Sequence, residues 1–225
     1  MRIFRGIFLI CISLVFLSSS GCYMSKYRKA GKTDIGGTAY HELRPFGREF
    51  EKALYKAHMS VNGWEFDGLL MIKQFAGQSY KVAFFSELGL NFFDFGLRNT
   101  GQKNKLSLNV NHIYPPLDRS LLLNNLEKYF SMLLSPGLDH GTYKTFVKKD
   151  GSKVMIQLNA YKGKDAYLSK NLIGPYTEIV KLGPMGCKEK IRITVSADRN
   201  NYAPDHILIE QAGLRLRLEM QAVPE

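Results

Sequence analysis

From residue 53 onward, apolar and polar side chains alternate at a period of two through one segment after another. That period puts every second side chain on one sheet face. It confines the chain to antiparallel β-structure with one covered face and one wet face. "ALYKAHMSV" alternates and runs into Asn62-Gly63, a dipeptide suited to the two positive-φ positions of a type I′ hairpin. "WEFDGLLMIKQF" then sets Trp64, Phe66, Leu70 and Ile72 on one face and Glu65, Asp67 and Lys73 on the other. "SYKVAFFS", a tight turn at "ELG", and "LNFFDFGL" continue the series. Asn99-Thr100-Gly101 turns the chain into "KLSLNVNH", where Leu106, Leu108 and Val110 share a face. Strands resume with "TYKTFVKK" and, across Asp150-Gly151, "SKVMIQLNAY". "DAYLSKN", "YTEIVKL", "KIRITVSA" and a long final "HILIEQAGLRLRLEM" follow. The count is about ten or eleven strands, and 26 Phe plus Tyr residues with 20 glycines fit that β-rich class.

One segment breaks the rhythm. In "LDRSLLLNNLEKYFSMLL", residues 117 to 134, Leu122, Leu126, Tyr129, Phe130 and Leu133 recur at helical spacing. Asp118 is the predicted N-cap, and Pro136-Gly137 stop the helix. A second, short helix is expected around "RPFGREFEKAL", residues 43 to 53. No repeat or low-complexity block divides the chain, so the body reads as a single domain. The expected fold is mainly β (α+β). It is a single curved antiparallel sheet forming an unclosed barrel, with the helix as a lid over its concave apolar face. Such a concavity suits a small hydrophobic ligand.

The N-terminus has a different layout. Arg2 and Arg5 precede the apolar run "IFLICISLVFL", which ends in "SSSG" and Cys22. This is the plan of a secretory signal, with an uncleaved membrane anchor as the alternative. Ser19, Ser20, Gly21 and Cys22 resemble the lipobox of bacterial lipoproteins, with Ser19 where leucine is usual. The resemblance implies removal of residues 1–21, acylation of Cys22, and a basic flexible tether over 22–45 ahead of a folded body at 46–225. No aspartate follows Cys22, so the resemblance further implies delivery to the outer membrane, facing the periplasm. Net charge is +11, leaving +9 from Cys22 onward, with 29 basic against 20 acidic side chains. On a lipid-tethered body that surplus is read against membranes first.

An acylated cysteine, a basic tether and an unclosed barrel with a helical lid resemble the LolA/LolB superfamily. The local match is "QSYKVAFFSELGLNFFDFGLRNTG", residues 78 to 101, similar to the LolB pattern of strand, Leu-Gly turn and alternating strand. The resemblance implies an apolar cavity for acyl chains or lipoprotein cargo and gives Leu88, in that turn, a role in membrane or cargo transfer. It also implies a periplasmic carrier as partner. The cavity-lining candidates are Phe66, Leu70, Phe84, Phe93, Phe95, Leu106, Leu108, Leu122, Leu126 and Phe130. The alternative function is a structural or assembly lipoprotein that binds a partner protein and has no ligand cavity.

Catalysis finds little support in the residues. G-x-S-x-G, H-E-x-x-H and Cys-x-x-Cys are absent, and Gly31-Lys32-Thr33 lacks the upstream glycine of a phosphate loop. His41, His58, His112, His140 and His206 are scattered without metal-ligand spacing. Cys187 is the one cysteine of the body and reads as buried and inert. Asp94, within "FFDF", is wet if Phe93 and Phe95 face inward and a buried acid in the reverse register; alternation favours the first. No enzyme activity, cofactor, metal or nucleic acid is expected, and the protein reads as a monomer.

Overall fold

A computed structural model describes residues 31–32, 45–47, 50–75, 79–99, 106–115, 117, 119–134, 143–147, 153–159, 163–169, 177–182, 189–196 and 203–224. Their strands, in chain order, are β1 (Gly31–Lys32), β2 (Lys52–Val61), β3 (Trp64–Phe75), β4 (Ser79–Phe85), β5 (Asn91–Asn99) and β6 (Leu106–Ile113). The helix α1 (Arg119–Leu134) comes next. It is followed by β7 (Tyr143–Val147), β8 (Lys153–Asn159), β9 (Gly163–Ser169), β10 (Glu178–Leu182), β11 (Glu189–Ser196), β12 (His206–Gln211) and β13 (Leu216–Ala222).

All thirteen belong to one sheet in the order β1-β7-β8-β9-β10-β11-β12-β13-β2-β3-β4-β5-β6, and every neighbouring pair is antiparallel. The sheet is open: β1 and β6 are its edges. Two strands are added to the sequence count. Gly31–Lys32, inside the expected tether, pairs with Phe146 and Val147 of β7. The long final segment divides at a 3₁₀ turn, Ala212–Leu214, where Arg215 adopts a left-handed conformation at φ 46°.

The C-terminal β13 pairs with β2 near the chain's beginning, so the two halves of the sheet meet in its middle. The connection from β6, at one edge of the sheet, to β7, beside the other edge, carries α1. The helix therefore spans the concave face, contacting β6 and β11. It begins at Arg119, two residues inside the expected span, and ends at Leu134 as expected. Asp118, Pro136 and Gly137 lie outside the described residues.

The short helix expected at 43 to 53 is absent among the described residues. Phe46 and Phe50 are buried with ring centroids 4.6 Å apart, and the Phe50 amide donates to the Gly47 carbonyl. The ladder has already begun at Glu51, whose carbonyl accepts from the Gln74 amide at 2.7 Å. Pairing with β3 thus takes the backbone groups that a helix would need.

Asn62 and Gly63 both have positive φ, 50° and 86°, as a type I′ hairpin requires. Trp64, directly after this turn, is in phase with the inward residues yet 60% exposed, because it stands at the strand's end beyond the reach of the core. Tyr55 and Met59 of β2 and Leu70 and Ile72 of β3 illustrate the inward rows, all fully buried.

Candidate functional site

The inner face is an aromatic–aliphatic cluster shared by the sheet and α1. Phe66 of β3 meets Phe92 (centroids 5.1 Å apart), which meets Phe84 of β4 at 4.9 Å. Phe84 meets Phe93 at 5.5 Å, Phe93 stacks on Phe95 at 5.5 Å, and Phe95 meets Phe130 of α1 edge-on at 5.5 Å. Six rings thus run without a break from β3 to the helix, at separations favourable for aromatic pairs.

Phe92 corrects the simple alternation, which gave it Asp94's face. A bulge between Phe84 and Phe85 sets Phe85 opposite Asn91 and leaves Phe92 without a cross-strand partner on β4. Its ring turns inward instead. Phe93 and Phe95 face inward as well, and Asp94 faces outward, where Lys81 Nζ lies 3.0 Å from it and the Asn111 amide donates to it at 3.1 Å.

Of the sequence-named lining residues, Leu70, Phe84, Phe93, Phe95, Leu126 and Phe130 are fully buried. Phe66 and Leu122 are buried, and Leu108 is half-buried against the cluster. The Leu106 side chain lies outside what is described. These residues pack upon one another. A separate cleft of about 330 Å³ opens at the rim, where Ile191, Glu210, Gln211, Arg215 and Leu216 line it.

Two polar contacts fasten the helix across the sheet. The Tyr129 hydroxyl donates to Gln211 Oε1 on β12, and the Tyr80 hydroxyl of β4 donates to the Leu134 carbonyl at 3.4 Å. Burial raises the Tyr129 hydroxyl above its ordinary pKa, so it remains a donor. Tyr55 lies on the same inner face. Its hydroxyl is buried without a hydrogen-bond partner among the described residues, and burial, with Asp205 nearby, raises its pKa. An unsatisfied buried hydroxyl costs about 1–3 kcal/mol. Tyr55→Phe is therefore expected to leave stability unchanged or raise it by about 1 kcal/mol in urea unfolding. A loss of that size would mean that the hydroxyl has a partner.

Leu88 is 98% exposed. The Gly89 amide donates to the Ser86 carbonyl at 2.9 Å, the Ser86 amide to the Leu90 carbonyl at 2.8 Å, and the Leu90 amide to Ser86 Oγ at 3.0 Å. Gly89, at φ 84°, closes this turn. Leu88 is thus held at the apex of a hydrogen-bonded hairpin with no neighbour to cover it. Leu90 is 47% exposed beside it. The β2–β3 and β4–β5 turns lie at the same end of the antiparallel strands, so Trp64 and Leu88 crown that end together. Sequence reading named Leu88 and missed this role for Trp64; a tryptophan directly after an Asn-Gly turn was the available signal.

The outward face carries ion pairs among its polar side chains. His58 lies 2.7 Å from Asp67 and 3.5 Å from Glu65, and His206 lies 3.1 Å from Glu219. Hydrogen bonds from His206 and then Arg217 hold the Glu219 carboxyl below the ordinary carboxylate range. The resulting small surface contribution to stability is present above the ordinary value and is lost as pH falls through the lowered one. The His112 ring is 3.1 Å from the Asn91 carbonyl, within β6. Among the described residues no group of three His, Cys, Asp or Glu side chains is placed to hold a metal, and no helix is long and apolar enough to cross a membrane. Cys11, Cys22, His41, His140 and Cys187 lie outside the described residues.

No family model and no curated protein matches the sequence. Solved structures do. A LolA superfamily protein from Nitrosomonas europaea is 7% identical, with 83% of this chain and 89% of that one covered at a TM-score of 0.50. A Vibrio parahaemolyticus domain assigned to outer membrane lipoprotein sorting is 6% identical, covering 79% and 85% at 0.45. A DUF1329 family protein from Desulfovibrio piger is 9% identical, covering 78% and 85% at 0.41. The first of these places the chain in a structural class: an open, curved antiparallel sheet crossed by a helix, the LolA/LolB-like fold. At such identity the likeness is one of fold.

Proposed function

We propose that this protein is a lipid-anchored envelope protein that binds an acyl chain, or the acylated end of a lipoprotein, between the curved sheet and α1, with no covalent chemistry. The observation that carries the reading is the unbroken run of six aromatic rings from Phe66 to Phe130, which joins the sheet to the helix. Its packed interior is the ligand-free form; cargo enters as the helix lifts. A chain of ~14 carbons at ~0.8 kcal/mol per buried CH₂ offers a gross drive near 11 kcal/mol, enough to compete with helix packing. Acylated Cys22 holds the body at the outer membrane facing the periplasm, a periplasmic carrier delivers the cargo, and Leu88 takes part in transfer. Candidate lining residues are Phe66, Leu70, Phe84, Phe93, Phe95, Leu106, Leu108, Leu122, Leu126 and Phe130.

The test is native mass spectrometry of the protein released from membranes in mild detergent. A co-purified lipid or acylated peptide is expected, together with an acyl-modified N-terminus at Cys22. Repeated absence of any ligand would favour the assembly lipoprotein, whose solid core binds nothing. Leu88→Glu is expected to fold normally, since the side chain touches nothing, while transfer of an acylated peptide to vesicles slows at least tenfold. Unaltered transfer would remove Leu88 from the mechanism.

A further inference from the structure

Three lysines stand side by side on the outward face of β2, β3 and β4. Lys52 is the cross-strand partner of Lys73, and Lys73 is the partner of Lys81. Lys56 and Arg98 share that face and are exposed, as are Lys52 and Lys73. Like charges placed directly opposite one another weaken a sheet, so sheet stability does not account for the row. Lysines often guard edge strands against aggregation, but these three strands lie inside the sheet order. Asp94 is the acid nearest the row in register, and Lys81 already occupies it at 3.0 Å. Lys52, Lys56, Lys73 and Arg98 form no ion pair among the described residues.

The next two rows on this face are apolar apart from Lys56, which pairs with Leu69, and Asp94, which pairs with Ala83. Leu54 pairs with Met71 and Met71 with Ala83, and Leu69 pairs with Phe85. Phe75, at the end of β3, is 47% exposed, with Lys73 Nζ 5.2 Å from its ring centre. A cationic row bordering half-buried apolar side chains matches a bilayer surface, where ammonium groups meet phosphates and apolar groups meet the acyl boundary. The helix lies on the opposite face and does not compete for it.

The chain's own attachment points the same way. Lys52 opens β2, and the antiparallel order puts that end level with the end of β7, where Gly31 pairs with Val147. Eight residues, nine Cα–Cα steps, separate Cys22 from Gly31, a reach of at most about 32 Å. We infer that Lys52, Lys56 and Lys73, with Leu54, Met71 and Phe75, form a docking surface for an anionic phospholipid bilayer. This orients the body on its membrane and turns Trp64 and Leu88, at the far end of the strands, toward incoming cargo. The orientation rests on the reading of Cys22 as the anchor.

The experiment is amine labelling of the full acylated protein on vesicles of phosphatidylcholine alone and of equal parts phosphatidylcholine and phosphatidylglycerol. A lysine near an anionic surface biases docking about fivefold, about 1 kcal/mol. Three together predict at least a tenfold fall in labelling of Lys52, Lys56 and Lys73 on the anionic vesicles, reversed by high salt, with Lys128 on the helix unaffected. The variant K52Q/K56Q/K73Q, which removes like-charge repulsion and keeps the Lys81–Asp94 pair, is expected to stay folded and lose the anionic preference roughly a hundredfold. Equal labelling on both vesicles overturns the proposal. Protection seen in whole envelopes but not on anionic vesicles also overturns it and assigns the face to an acidic protein. Failure of the anchor reading is seen separately, as protein that lacks the acyl group and does not remain on neutral vesicles.

Discussion

Gly68→Ala is expected to destabilise the protein by about 3 kcal/mol or more, although the usual effect of that substitution in a strand has the opposite sign. Glycine inside a strand ordinarily costs about 0.5–1 kcal/mol relative to alanine. Here a Cβ on Gly68 would lie 2.0 Å from the Phe85 carbonyl oxygen and 2.9 Å from Ser86 Cα. Both are backbone atoms, so no side chain can swing aside. The close approach arises where β4 ends at Phe85 and its chain crosses over Gly68 as it enters the Ser86–Leu90 turn. The glycine therefore fixes where Leu88 is carried. Gly96 on β5 is the control: a Cβ there meets only the Tyr80 carbonyl, at 3.9 Å. Gly96→Ala should be neutral or stabilising. Urea midpoints for the two variants moving in the same direction would contradict the close approach.

The period-two pattern reveals the strands because burial acts on every second side chain, whatever the sheet's topology. The helix is legible for a similar reason, since Leu122, Leu126, Tyr129, Phe130 and Leu133 must all face one way to be buried. What the pattern cannot carry is register between distant strands. The pairing of β13 with β2, and hence the joining of the two halves, depends on contacts about 160 residues apart. The Lys52–Lys73–Lys81 row is invisible for the same reason: its members become neighbours only once the register is known. Bulges add a second blind spot. Phe92 falls inward because one extra residue on β5 shifts the phase, and "NFFDF" reads equally well without it. Gly68 hints at its role, a glycine where Phe66 and Leu70 predict a large inward side chain, but the backbone it makes room for belongs to another strand. The last strand divides at "QAGL", where Gly213 was the local signal and the leucine alternation after it masked the break.

The second large effect concerns the helix. Phe130→Ala is expected to cost about 3–5 kcal/mol, the range for removing a fully buried phenylalanine whose site cannot collapse. Phe130 is the ring through which α1 joins the aromatic run, edge-on to Phe95. Its loss therefore weakens the helix–sheet contact more than the sheet, whose ladders remain intact. If α1 is the element that lifts to admit cargo, its amides open by a local route with a lower free energy than global unfolding. The variant should then raise hydrogen exchange in α1 by roughly a hundredfold or more, while β2 and β3 amides follow only the global change. Phe95→Ala, on the sheet side of the same contact, should produce the same loosening of α1 and in addition loosen β5. Uniform acceleration of helix and sheet in Phe130→Ala would instead show that α1 and the sheet unfold as one unit. A ligand could then enter only through the rim, where Gln211 and Arg215 border the cleft.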